Sequence, residues 1–252
     1  MSEEIYTLKN VPLCEAIYGS GLISLGGYEA VEEMFKGIDL RGKKILDIGS
    51  GIGGMAHYLS KKYGASITGL DIHPWMAEYS MSNAPAEVKN MLNFICYNDD
   101  GSIPLSSKEF DVIYSKGVLT NIADKKSLFK ELYRLLKPSG ILCLIDWLVP
   151  ETSGPKQERL FLGDMSFKET QSSYDQILSE CGFHTIQFKN ESAVYLRYVE
   201  NIISLLNSDE HKQKYSHTIS SSLRKKLIQS ELHLKASIEA GAQLSFLIRA
   251  HA

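Results

Sequence analysis

No apolar run in these 252 residues approaches the length of a membrane span, so no membrane is expected as a partner. The opening Met1-Ser2-Glu3-Glu4 is acidic and lacks the basic and apolar blocks of a signal peptide, which points to a cytoplasmic protein. Cysteine is scarce. Cys14, Cys96, Cys143 and Cys181 stand far apart, which excludes a disulfide framework and a cysteine metal site and leaves reduced, mostly buried thiols. His184, His211, His217 and His233 have no metal-ligand spacing, so no metal is expected. Neither charge dominates. Lys and Arg number 27 against 30 Asp and Glu, without a basic cluster, which argues against a nucleic-acid surface. The run Arg224-Lys225-Lys226 reads as a solvated helix face. Repeats and low-complexity tracts are absent. What remains is an ordinary globular composition, 44% hydrophobic, of a length that suits one large α/β domain.

Within that composition one stretch carries chemistry, Lys43-Lys44-Ile45-Leu46-Asp47-Ile48-Gly49-Ser50-Gly51-Ile52-Gly53-Gly54. An apolar strand meets an acid, then a glycine-rich turn, then a helix. Glycines at such a turn let a ligand approach the backbone closely. A second strand, 66–70, ends at Asp71, placed to accept hydrogen bonds from both hydroxyls of a ribose. Gly49-x-Gly51-x-x-Gly54 also fits a dinucleotide fingerprint, so the glycines alone leave the cofactor open. Asp47 favours one answer. A carboxylate two residues before the first glycine repels a pyrophosphate and attracts a cofactor carrying an amino group, such as S-adenosylmethionine. A glycine-rich turn with no ligand is the bland alternative.

The surrounding pattern alternates. Strands are expected at 44–48, 66–70, 92–97, 110–115 and 140–147, with helices near 53–62, 74–83 and 125–136. Alternation of this kind predicts a parallel sheet covered by helices on both faces. Two helices, 10–18 and 29–36, precede the first strand and flank a glycine-rich segment, 19–27. After Trp147 a helix at 171–181 and a strand at 184–188 follow. Amphipathic helices at 195–206 and 223–240 then form an insert before a last strand at 243–250. The division expected is an N-terminal helical segment and lid, 1–42, and a cofactor domain, 43–252, with a helical cover at about 190–240.

The run Ile45 to Gly51 resembles the first motif of the class I S-adenosylmethionine-dependent methyltransferases. Asp71 resembles their ribose acid, and Asn98-Asp99 the acid on the adenine amine. Phe110 to Ser115 resembles their fourth strand, and Leu135-Leu136-Lys137-Pro138-Ser139-Gly140 the motif before the fifth. Tyr6, Ile17-Tyr18-Gly19 and Ile23-Ser24-Leu25-Gly26-Gly27 are similar to the opening of the phosphoethanolamine and sarcosine/dimethylglycine N-methyltransferases. The resemblance implies a Rossmann-like class I methyltransferase sheet and S-adenosylmethionine held by Ile23, Ser24, Asp47, Gly49, Gly51, Asp71, Ile72, Asp99, Ser115 and Lys116. It also implies a catalytic latch between Tyr6 and the position of Asn121. This chain departs from the family there. A histidine is replaced by Asn121, and Tyr-Ser-Arg-Asp reads Tyr114-Ser115-Lys116-Gly117. Asn121 cannot act as a base; it can orient a substrate or bond to Tyr6.

The implied activity is therefore methyl transfer to a small molecule, with an amine nitrogen leading and an oxygen or carbon acceptor as the alternative. Other readings are an S-adenosylmethionine-binding protein without turnover and an NAD-dependent oxidoreductase. A methylated cation would call for aromatic faces. Tyr18 and Trp147 are the candidates for the substrate pocket, with Tyr195 and Tyr198 beside them as candidates or as core. His73 is expected at the pocket rim.

Overall fold

The computed structural model describes residues 7–97, 103–154 and 167–252. Seven strands form one sheet in the order β3-β2-β1-β4-β5-β7-β6. They are β1 Lys44–Ile48, β2 Ser66–Asp71, β3 Leu92–Cys96, β4 Phe110–Lys116, β5 Leu136–Leu148, β6 His184–Asn190 and β7 Leu244–His251. β1 to β5 run parallel, and the order in which strands are added reverses at β1, with β2 and β3 on one side and β4 and β5 on the other. β7 inserts antiparallel between β5 and β6. The sheet is thus mixed, where strand–helix alternation alone predicted a parallel one. The reason lies in the connections. β6 and β7 are separated by the helical insert, which lets the chain return in the opposite direction.

Local sequence sets the boundaries. α1 (Val11–Tyr18) has Pro12 in its first turn and ends at Gly19 with φ 100°. α2 (Gly27–Met34) leads toward β1, and α3 (Gly54–Tyr63) closes on Gly64 in the left-handed region. α4 (Pro74–Ser82) follows β2. α5 (Lys125–Leu135) is capped by the Asp124 carboxylate on the Ser127 N–H. Its end passes directly into β5, which starts at Leu136 and not at 140 as expected, with Ser139 at φ 64° just after Pro138 and a register shift against β4 between Phe110 and Val112. α6 (Gln171–Glu180) precedes β6. The insert comprises α7 (Ser192–Asn207), α8 (Asp209–Lys214) and α9 (Ser221–Glu239).

Alternating residues send the sheet's side chains to two cores. Leu46, Ile113, Leu142 and Leu144 join Phe129, Leu132 and Tyr174 on one face. Ile45, Ile67 and Val112 join Val31, Met34, Leu59 and Tyr195 on the other. A third cluster, Ala16, Ile17, Ile202, Leu206 and Ile219, welds the insert to α1. The insert therefore covers the N-terminal segment, which in turn lies over the carboxyl ends of the central strands. Burying one such Leu or Phe contributes about 1.5–3 kcal/mol. Exposed pairs such as Lys61–Glu87 contribute far less, so the three cores and not the surface ions hold this arrangement.

Candidate cofactor and active site

The site lies where an open α/β sheet places its ligands, at the carboxyl ends of β1, β2 and β4. A cleft of about 470 Å³ opens there, lined by Ile23, Ser24, Gly49, Gly51, Asp71, Ile72 and Lys116. Gly117, Val118, Asn121 and Ile122 continue the wall, and Tyr97, Ile103 and Met76 close the far end.

Asp71 ends β2 with its carboxylate fixed by backbone. Oδ2 accepts from the Gly51 N–H at 2.9 Å, and Oδ1 accepts from the His73 N–H at 3.0 Å. The His73 ring approaches Oδ1 through Nδ1 at 3.1 Å. Ile72 beside it is 57% exposed, an apolar side chain left facing the cleft.

Asp47 lies behind the glycine turn, 3% exposed, and Oδ2 accepts from the Tyr114 hydroxyl at 2.6 Å. Burial pushes its carboxyl up to about 7. Lys116, from the end of β4, points back under the same turn. Its ammonium donates to Ser24 Oγ at 2.6 Å and to the Leu25 carbonyl at 2.8 Å, and burial pulls it down to about 8. Asp47 and Lys116 share a second, small cavity of about 40 Å³ with Gly21, Ile23, Gly49 and Gly51.

The segment 19–27 is held down at three points. Gly21 lies against Gly54 so closely that a Cβ at Gly54 would sit 1.9 Å from the Gly21 carbonyl oxygen. Lys116 holds Ser24 and Leu25, and Tyr195 and Tyr198 pack on Gly26. A Cβ on Gly51, where φ is +54°, would meet Ile23 at 2.7 Å. The glycines that the sequence offers as a close-approach turn thus bring the turn and the overlying segment together.

The structure unites Ile23, Ser24, Gly49, Gly51, Asp71, Ile72, Lys116 and Asn121 around one cleft, with Asp47 in the adjoining cavity. Tyr6 and Asp99 lie outside the described residues. Three expected residues sit elsewhere. Ser115 is fully buried, and its hydroxyl donates to the Ile48 carbonyl at 2.9 Å, stitching β4 to β1. Tyr18 lines a groove beside Tyr198 and Ile202, because its position in α1 faces the insert. Trp147 packs edge-on against Tyr195 at 5.3 Å, since the strand pleat turns it to the core that the insert covers. Tyr195 and Tyr198 are buried. His73 does reach the cleft, and its contact with Asp71 was readable only as adjacency. Arg224 is buried rather than solvated. Among the described residues no cluster of three metal-ligating side chains occurs, and no helix is long and apolar enough to cross a membrane.

A seven-stranded sheet of this order, with a glycine turn between two acids, defines a Rossmann-like protein, an architecture that places nucleoside ligands at this crevice. Comparison with known proteins narrows the class. A family model described as a methyltransferase domain matches residues 46–144. Phosphoethanolamine N-methyltransferase of Plasmodium falciparum is 32% identical over 208 residues, covering 77% of this chain and 74% of that protein. The chain belongs to that family, the class I S-adenosylmethionine-dependent methyltransferases. Phosphoethanolamine N-methyltransferase 1 of Triticum aestivum is 26% identical over 80% of this chain, which spans only 40% of the wheat protein. In fold, the chain is similar to Haemonchus contortus phosphoethanolamine N-methyltransferase 2, solved with S-adenosyl-L-methionine. The TM-score is 0.85 at 21% identity, covering 99% of this chain and 58% of that one.

Proposed function

We propose that this protein transfers the methyl group of S-adenosylmethionine to a small-molecule acceptor, with an amine nitrogen as the leading acceptor. The observation that carries the reading is the pairing of Asp71, fixed at the end of β2, with the Asp47–Lys116 pair enclosed behind the glycine turn. The three charges match the three polar parts of the cofactor. Asp71 has lone pairs left for a ribose diol. Asp47 offers a carboxylate to an ammonium, and Lys116 an ammonium to a carboxylate. The exposed face of Ile72 suits a planar base.

When bound, S-adenosylmethionine supplies an activated methyl on a sulfonium. The protein's task is then positioning, worth several kcal/mol when the acceptor lone pair is held in line about 3 Å away. Ile23 and Val118 exclude water from the cleft with apolar side chains, and Ile122 extends that apolar wall. Asn121 can donate to or accept from an acceptor without changing its charge. An amine must arrive neutral, and an apolar wall lowers its pKa toward that form. A neutral amide at Asn121 also suits an oxygen or carbon acceptor, which is the second reading.

Calorimetric titration with S-adenosylmethionine and S-adenosylhomocysteine tests the cofactor. Micromolar binding of both is expected, with a loss of at least about tenfold in Asp71→Ala, the size expected for a charge-assisted hydrogen-bonding group. Absence of binding by the wild-type protein sinks the proposal. Incubation with labelled cofactor and a panel of amines, phosphorylated amines and hydroxyl compounds then identifies the acceptor class.

A further inference from the structure

One acid interrupts the apolar inner stretch of β5. Asp146 is 1% exposed, and its carboxylate is divided between two elements. Oδ1 accepts from both the Thr120 N–H, at 3.1 Å, and the Thr120 hydroxyl, at 2.7 Å. Oδ2 accepts from the Tyr174 hydroxyl on α6 at 2.8 Å. The ammonium of Lys125, also 1% exposed, attracts this carboxylate and donates to the Ile122 carbonyl at 3.0 Å and to the Phe167 carbonyl. The Phe167 N–H in turn donates to the Thr120 carbonyl at 2.8 Å.

Thr120 therefore uses its amide, hydroxyl and carbonyl on groups beneath it. Its neighbours Gly117, Val118, Asn121 and Ile122 line the cleft. A buried charge is a costly way to fill a core, and apolar side chains of similar volume often stabilise more. What the carboxylate adds is direction: two hydrogen bonds converge on the one residue at the centre of the turn that walls the cleft.

We propose that Asp146 is a positioning residue for the cofactor cleft, acting through Thr120, with Lys125 in support, to set the turn 117–123 against the bound nucleoside. This rests on the reading of the cleft as the S-adenosylmethionine site. Tyr174 supplies the control, because it bonds to the same carboxylate from the side away from the turn. Thr120→Val and Tyr174→Phe each remove one hydroxyl from Asp146, while Thr120→Ser retains it.

The experiment is calorimetric titration of the four proteins, each the whole 252-residue chain, with S-adenosylhomocysteine, with thermal melts of each. Thr120→Val is expected to bind about five- to tenfold more weakly, a part of the free energy of one hydrogen bond to a charged acceptor, the remainder being lost from stability. Thr120→Ser is expected to stay within about twofold of wild type. Tyr174→Phe is expected to melt lower, as Thr120→Val does, yet to keep wild-type affinity. Wild-type affinity in Thr120→Val overturns the inference, and so does an equal loss in Tyr174→Phe, which marks a purely structural network. Failure of the unsubstituted protein to bind removes the methyltransferase reading and this inference together, and is seen before any variant is made.

Discussion

Tyr114 and Asp47 are register partners on the adjacent strands β4 and β1, and the tyrosine hydroxyl donates to the aspartate at 2.6 Å. The acid of the glycine-turn motif is thus held by a neutral donor inside the sheet, with its charge left for something in the cavity above. A carboxylate so placed is poorly solvated, and burial raises its pKa to about 7.

The sign of the resulting pH dependence follows from linkage. Asp47 in the unfolded chain titrates near the ordinary carboxylate value, and in the folded protein near 7. The folded state binds the proton more tightly, so this group costs no stability at pH 4 and increasingly more as pH rises to 7. Asp47→Asn removes that burden. It should melt higher than wild type at pH 8, and the difference should shrink as pH falls toward 4. Parallel melting profiles across this range would show that the carboxylate is not buried as described. The same variant should bind S-adenosylmethionine more weakly, having lost the attraction for its ammonium.

Lys116 sets the opposite limb. Burial lowers its pKa to about 8, so it becomes neutral above that pH. Its bonds to Ser24 and Leu25 then fall from charge-assisted to neutral strength, roughly from 1.5–3 to 0.5–1.5 kcal/mol each. Affinity of the wild-type protein for S-adenosylmethionine should therefore be greatest between about pH 7 and 8, with Asp47 charged and Lys116 still protonated. In Lys116→Met the affinity should be lower throughout and the alkaline decline should vanish. An alkaline decline that survives in the variant would assign that limb to another group.

Most of the sheet was legible because its strands are bounded by strong signals. β1 occupies Lys44–Ile48 as the apolar run before Gly49 requires, and β2, β3 and β4 differ from expectation by one residue. The direction of β7 was not legible, since antiparallel pairing depends on where the insert delivers the chain and not on strand composition. That Ile23, Ser24, Gly49, Gly51, Asp71, Ile72 and Lys116 gather at one cleft was readable, because they sit in turns and at strand ends, positions that sequence spacing fixes. The aromatic residues were not. Whether Tyr18 and Trp147 face ligand or core depends on the pleat and on the insert packed against them. Asp146 carried a visible signal, a lone acid in an apolar strand, and its partners Thr120 and Tyr174 become neighbours only in the folded chain.

Gly54 separates helix propensity from packing. It occupies the first turn of α3, where alanine is favoured by about 1 kcal/mol on propensity alone. A Cβ there would nevertheless stand 1.9 Å from the Gly21 carbonyl, a backbone atom with no rotamer to adopt. Gly54→Ala should therefore lose stability and displace the segment bearing Ile23 and Ser24, weakening S-adenosylhomocysteine binding at least about tenfold. Gly64→Ala is the comparison. At φ +64° with open space around it, that substitution carries backbone strain alone. It should lower the melting temperature and leave affinity unchanged. Equal affinities for the two variants would mean that the 19–27 segment does not contribute to the site.

The insert reaches the same segment through a buried histidine. Arg224 on α9 donates through one nitrogen to His211 Nδ1 and to the Leu206 carbonyl, each at 2.8 Å. With Nδ1 accepting, Nε2 carries the proton and donates to the Ala16 carbonyl at 2.8 Å, in the last turn of α1. Three residues further on α1 ends at Gly19, and the segment over the cleft begins. Arg224→Met leaves His211 Nδ1 and the Leu206 carbonyl buried without their donor, at a cost of about 1–3 kcal/mol for each group left unpaired. Urea unfolding should register that loss. Hydrogen exchange should also quicken across 11–27 more than in β1 or β4, because the tie being cut holds α1 and not the sheet. Uniform quickening across the whole chain would show that Arg224 acts on global stability alone, and that the insert does not govern the segment covering the cofactor cleft.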